Sequence, residues 1–139
     1  MMAEIIQTFK KTENLQILSK CHIVLNDKYY PVNAIWDTGT AKTTISTFVV
    51  EKLNLTEIGK KKLGGIDTIV DASIHKIDFA ISDSIIFKDI EIVSSNFQSQ
   101  YIDVLIGMDI ITQGDFHITH LVNGEIRFDF VYPSETKPS

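Results

Sequence analysis

One short run in the chain could hold an acidic side chain ready for chemistry: Asp37-Thr38-Gly39-Thr40. It follows an apolar strand-like end, Ala34-Ile35-Trp36, so the carboxylate would leave the core in a tight turn. Backbone amides and hydroxyls can hold it there. Gly39 lets the backbone turn sharply and lets other groups approach closely. Thr38 and Thr40 add short hydroxyls that bond locally. An ordinary turn after a strand would have the same residues. At average composition a bare Asp-Thr-Gly arises by chance in roughly three of a hundred chains this long, so the run alone is a modest signal.

A second constellation changes its weight. Val104-Leu105-Ile106-Gly107-Met108-Asp109-Ile110-Ile111 is an apolar run, then glycine, then a short helix that Asp109 can cap and Gly114 can end. An apolar strand ending in Asp-Thr-Gly-Thr, with a later apolar-apolar-Gly leading into a helix, resembles the retropepsin family of single-domain aspartic proteases. The resemblance covers roughly Ile23 to Phe130. Gly107-Met108-Asp109-Ile110-Ile111, followed by Gly114-Asp115-Phe116, is more similar to cellular and bacterial members than to the retroviral enzymes.

That resemblance implies an all-β fold, a closed barrel or sandwich with one or two short helices, forming half of a symmetric dimer. It assigns Asp37, Thr38 and Gly39 to catalysis, with support from Thr40, Ile106 and Gly107. The two strands would cross beneath the catalytic loop, the glycine letting one pass close to the other. Leu63-Gly64-Gly65-Ile66 falls where the family places its flap, and Gln100 and Tyr101 fall in a loop that lines the substrate pockets. Three features depart from the family pattern: a further hairpin from Phe116 to Phe130, a longer stretch before Ile17, and a flap without a run of several glycines. Terminal strands form the dimer interface in retroviral enzymes, so the architecture of the dimer stays open.

One Asp-Thr-Gly per chain requires a homodimer, because a two-fold interface brings the same residue together twice. Two carboxylates a few ångströms apart cannot both ionise cheaply, so they titrate as a coupled pair. The family mechanism then needs a polypeptide substrate and water, and no metal or other cofactor. The Thr40 hydroxyl can donate to the outer oxygen of Asp37, and an activity optimum on the acid side of neutral is expected. The rival reading is a retropepsin-like module for dimerisation or peptide binding with weak hydrolysis. The intact Asp-Thr-Gly argues against it, since a binding module has no need of that carboxylate.

Other groups carry less. His117 and His120 lie three apart, so on a strand they point to opposite faces and cannot share one ion. Cys21 sits in an apolar strand, where a buried inert thiol is the default, and no Gly-x-Ser-x-Gly occurs. Asp67, Asp71, Asp103 and Asp109 read as turn and cap residues. Lys60-Lys61-Lys62, beside Gly64-Gly65, reads as a solvated loop.

Short strands must position these residues. Ile17–Leu25 and Lys28–Trp36 flank the turn signal Asn26-Asp27, with Pro31 arguing for an edge or a strand start. Ser46 or Thr47 can cap a helix through Leu53. Lys62–Val70 reads as a hairpin or open loop around the glycine pair. Ile74–Phe79, Ile85–Phe87 and Ile90–Val93 alternate, and Ser94–Gln100 reads as a polar loop. Phe116–Leu121 and Glu125–Phe130 flank Asn123-Gly124, a strong hairpin signal.

With 139 residues and 44% hydrophobic composition, the chain is expected to form one domain over residues 1–132, with a disordered tail at 133–139. A net charge of −5 argues against nucleic acid as a partner. No apolar run approaches the roughly 20 residues that span a bilayer, and the N-terminus lacks a signal-peptide pattern. A single cysteine favours a reducing compartment, so no membrane partner and a cytoplasmic location are expected.

Overall fold

The computed structural model describes residues 2–10, 16–64, 69–97 and 101–134. Its centre is a hairpin of β2 (Leu18–Leu25) and β3 (Lys28–Trp36), in which Leu25 pairs with Lys28 across Asn26-Asp27. Both turn residues have positive φ, 50° and 64°, which Asn and Asp tolerate and which suits the twist of a two-residue hairpin. Alternation along β2 buries Ser19, Cys21 and Ile23. Pro31 lies inside β3, but β8 pairs with β3 only from Ala34 to Trp36. At Pro31 the strand therefore has no neighbour on its β8 side, so the missing N–H breaks no ladder there.

Six strands close a barrel in the order β2, β3, β8 (Val104–Ile106), β4 (Thr44–Ser46), β7 (Ile86–Ser95) and β6 (Ile69–Ala80). The ring closes where β6 returns to β2, with Ile23 opposite Phe79. β3–β8 and β4–β7 run parallel, so these chain segments cross over rather than meander. Inside the barrel lie Ile23, Ala34, Ile45, Phe79, Ile92 and Ile106, all buried. Helix α1 (Thr47–Leu53) packs beside β4 and is capped by the Ser46 hydroxyl, which accepts from the Val49 amide. Among the described residues strand β5 (Gly59–Gly64) pairs only with β6, so that hairpin projects from the ring.

A second sheet, in the order β1 (Ala3–Lys10), β10 (Glu125–Tyr132), β9 (Asp115–His120), covers the end of the barrel beneath Trp36. Phe128 and Phe130 approach the Trp36 indole at centroid distances of 5.0 and 4.9 Å. The indole N–H donates to the Ser19 hydroxyl at 2.8 Å, and that hydroxyl in turn donates to the Gln7 side chain of β1. Trp36 thus joins both sheets immediately before Asp37.

Several expectations are corrected here. Residues 3–10, given no element in the sequence reading, form β1, which pairs along β10 and turns Ala3, Ile5 and Phe9 toward the core. The segments Ile85–Phe87 and Ile90–Val93 merge into one strand that starts at Ile86, because Asp89 at φ 55° absorbs an irregularity within β7. Ser94 and Ser95 end that strand instead of opening a loop. Lys60-Lys61-Lys62 lie in β5 and not in a loop, since β6 supplies a ladder partner for each. Asp71 is a strand residue of β6. Asp67, Gly65, Ile66 and Gln100 lie outside the described residues, as does the tail from 135 onward. Among the described residues no helix is long and apolar enough to cross a membrane.

Candidate active site

The parallel pairing of β3 with β8 sets Trp36 opposite Ile106, and the Asp37 amide donates to the Ile106 carbonyl at 2.9 Å. Asp37 is therefore the first residue past the sheet, and the chain turns at once, with the Thr40 amide donating back to the Asp37 carbonyl at 3.2 Å. The Asp37 carboxylate is half-buried and both of its oxygens are held. Oδ1 accepts from the Gly39 amide at 2.9 Å, and Oδ2 accepts from the Thr40 hydroxyl at 2.8 Å. A Cβ on Gly39 would stand 3.2 Å from Oδ1, so a side chain there would crowd the group it now holds. Thr38 and Gly39 face solvent.

The turn rests on helix α2 (Met108–Ile111). The amides of Met108 and Asp109, free at the start of the helix, donate to the carbonyls of Thr40 and Ala41 at 2.7 and 3.1 Å. Gly107 makes this approach possible. A Cβ at that position would lie 2.7 Å from the Thr40 carbonyl oxygen and 2.9 Å from the Lys42 carbonyl carbon, closer than any real contact and against backbone. The N-cap position belongs to Gly107, which offers no side chain, so Asp109 does not cap the helix as expected. The helix also ends at Ile111, with Thr112 as its C-cap, three residues after it begins and short of Gly114.

Asp109 does something else. Its Oδ1 accepts from the Thr43 amide at 3.0 Å and from the Thr43 hydroxyl at 2.7 Å, while the same hydroxyl oxygen accepts from the Gly107 amide at 3.1 Å. Thr43 is completely buried. This Asp109–Thr43–Gly107 brace locks the two ends of the turn together, and Thr43 was missed in the sequence. Its only local signal was a threonine shortly after the Asp-Thr-Gly run, and nothing nearby in sequence points to residue 109.

Of the other expected site residues, Ile106 is fully buried beneath the turn. Leu63 and Gly64 end β5 opposite Val70 and Ile69, at the outer end of the projecting hairpin. Tyr101 is exposed on the segment leading into β8. Nearby Asp103, read as a turn or cap residue, accepts from the Asn33 amide at 2.8 Å and ties β3 to the approach of β8. His117 and His120 are exposed on β9. The Cys21 thiol lies in the barrel wall, where burial pushes its pKa up to about 12.

The model of the aspartyl protease family matches residues 21–110, from β2 to α2, a span that holds both the turn and its brace. Among solved structures, a retropepsin-like aspartic protease from Rickettsia conorii superposes with a TM-score of 0.62 at 12% identity, over 94% of this chain and 95% of that one. EIAV protease complexed with the inhibitor HBY-793 gives a TM-score of 0.54 at 20% identity, over 73% of this chain and 92% of that one. No curated protein sequence matches. The barrel is thus a retropepsin-like fold, as the sequence led one to expect.

Proposed function

The chain belongs to the aspartyl protease family, and on that premise we propose that it is an aspartic endopeptidase whose working unit is a homodimer. The observation that carries the reading is the Asp37 carboxylate, held by the Gly39 amide and the Thr40 hydroxyl on a turn braced from behind by α2. Such bracing suits a group that must keep its geometry while its charge changes.

A single chain supplies one such carboxylate, and the reaction needs two that share a proton. A symmetric pair of chains places Asp37 beside its own copy. Close carboxylates cannot both carry charge, so in the working state one is ionised and its neighbour protonated. The ionised member takes a proton from water as the water attacks the peptide carbonyl. The protonated member gives its proton to the carbonyl oxygen as the tetrahedral species forms. Each member ends in the state its neighbour began in, and collapse of that species releases two peptides. The exposed Thr38 and Gly39 stand where the partner turn would arrive. The β5–β6 hairpin serves as the flap, with Leu63 and Gly64 near its tip, and Tyr101 on the loop lining the substrate.

The test is cleavage of an unstructured polypeptide between about pH 3 and 8, wild type beside Asp37→Asn, with sedimentation of both proteins. Cleavage by the wild type alone, blocked by a statine-type inhibitor and bell-shaped in pH, is the expected result. A dimer that cleaves nothing at any pH would favour a peptide-binding module. A protein that stays monomeric at high concentration would remove the second carboxylate and the mechanism with it.

A further inference from the structure

The chain is acidic overall, yet it sets three consecutive lysines, Lys60, Lys61 and Lys62, along exposed strand β5. Successive side chains on a strand point to opposite faces, so the run charges both faces of the hairpin. Carboxylates offset the three unequally. Lys60 pairs with Glu57 at 3.0 Å, and Lys62 stands across the ladder from Asp71. Lys61 stands across from Ala72, whose methyl group offers no charge, on the face it shares with Leu63. A second cation sits in the catalytic turn itself. Lys42 follows Asp37 by five residues, and its backbone is pinned against Gly107 and by the Thr44 hydroxyl, which donates to its carbonyl at 2.8 Å. Among the described residues neither Lys42 nor Lys61 joins a salt bridge.

We propose that Lys42 and Lys61 select polypeptide substrates bearing acidic side chains beside the scissile bond. This deepens the protease reading and rests on it, since it takes the β5–β6 hairpin as the flap closing over the turn. The exposed Lys61 and the half-buried Lys42 attract a carboxylate only weakly through water, but the attraction grows when a bound peptide excludes water from between turn and hairpin. The dyad itself carries one negative charge in its working state, which repels an acidic residue at the bond being cut. The acidic positions favoured by the lysines therefore flank that bond and do not form it. Lysine suits such a loose role, being a flexible point charge without the fixed fork of arginine.

The experiment uses two fluorescent unstructured peptides with the same apolar central pair, one flanked by Glu and the other by Gln. Binding to Asp37→Asn is read by anisotropy, and cleavage by the wild type is read in parallel. The Glu peptide is expected to bind about five- to tenfold more tightly at low salt, an advantage that shrinks at about 0.5 M salt. Introducing Lys61→Glu or Lys42→Glu should remove or reverse the preference. Lys28→Glu, at the far end of β3 from Asp37, should leave it intact, and circular dichroism checks that each variant is folded. Equal binding of both peptides, or a preference unmoved by the two reversals, would overturn the proposal and leave a cleaving wild type as a protease of other specificity. A Glu preference without any cleavage would keep the selection and sink the protease reading.

Discussion

The Asp37 turn and the β5–β6 hairpin are both excursions from the same barrel, and they are built in opposite ways. The turn is fastened from behind: to β8 through Ile106, to α2 through Met108 and Asp109, to Asp109 and Gly107 through Thr43, and to itself through the Thr40 amide on the Asp37 carbonyl. The hairpin holds chiefly to itself, with β5 pairing only β6 among the described residues and its lysines in solvent. Segments with few buried contacts open at low cost, whereas a buried and fully bonded network opens only with the fold. The proposed protease would need both properties: fixed chemistry below and an adjustable cover above. Substitutions in the turn should therefore change turnover and stability together, while substitutions in the hairpin should change substrate affinity with the fold intact.

The largest effect is expected at the carboxylate. Asp37→Asn should lower kcat by at least about a thousandfold while leaving melting temperature and dimerisation nearly unchanged, because it removes the acid–base group and little packing. Retention of more than a few per cent of activity would mean that the chemistry lies elsewhere. Gly107→Ala follows. The added methyl would press on backbone at 2.7 and 2.9 Å, so the turn and α2 must part, at a cost of about 1–3 kcal/mol. Chemical denaturation would measure that loss, and activity should fall further than the stability change alone explains. A normal, active Gly107→Ala protein would break the idea that the turn is rigid.

The barrel wall that carries the turn has its own reporter in Cys21, opposite Val32 in the β2–β3 ladder. Burial pushes its folded pKa up to about 12, from the ordinary thiol value of 9.0. Below pH 9 both folded and unfolded thiols keep the proton, and the full contribution of the buried thiol is present. Between about 9 and 12 only the unfolded thiol ionises, so stability should fall as pH rises, by about 1.4 kcal/mol per pH unit at most. Alkaline denaturation of wild type beside Cys21→Ala measures this, and parallel curves would refute it. Thr43→Val is expected to cost about 1–3 kcal/mol, since it leaves the Asp109 carboxylate and the Gly107 amide short of a partner in a buried place.

What the sequence made legible divides along the same line. The turn could be read because its parts are contiguous: an apolar strand end, a carboxylate, a glycine and hydroxyls within four residues. Its link to residues 104–111 was legible only through resemblance, since no local pattern says that Gly107 must lie against Thr40. The brace from Asp109 to Thr43 spans 66 residues and involves residue types that ordinarily cap and turn. Local propensity pointed to a helix cap, and tertiary contact made that carboxylate a tie instead. Strand β1 was illegible for a related reason: its alternation is weak, and it becomes a strand because β10 offers eight paired positions. The three lysines misled because charge runs favour loops on average, while here the partner strand β6 sets the conformation.

The smallest predicted effect bears most directly on the contrast between turn and hairpin. Leu63 is only partly buried, near the outer end of β5, beside Gly64, whose added Cβ would meet nothing within 4 Å. Leu63→Ala removes little packing in the free protein, so melting should shift by no more than about 0.5 kcal/mol. If the hairpin closes over substrate, the same leucine gains apolar contact only in the complex. KM should then rise several-fold, with kcat within about a factor of two, because the loss is one of uniform binding. Matched kinetics and denaturation on one preparation would measure both. A drop in kcat with KM unchanged would tie the hairpin to the chemical step and dissolve the division of labour between it and the turn. A large loss of stability would show that the hairpin is fastened as firmly as the turn.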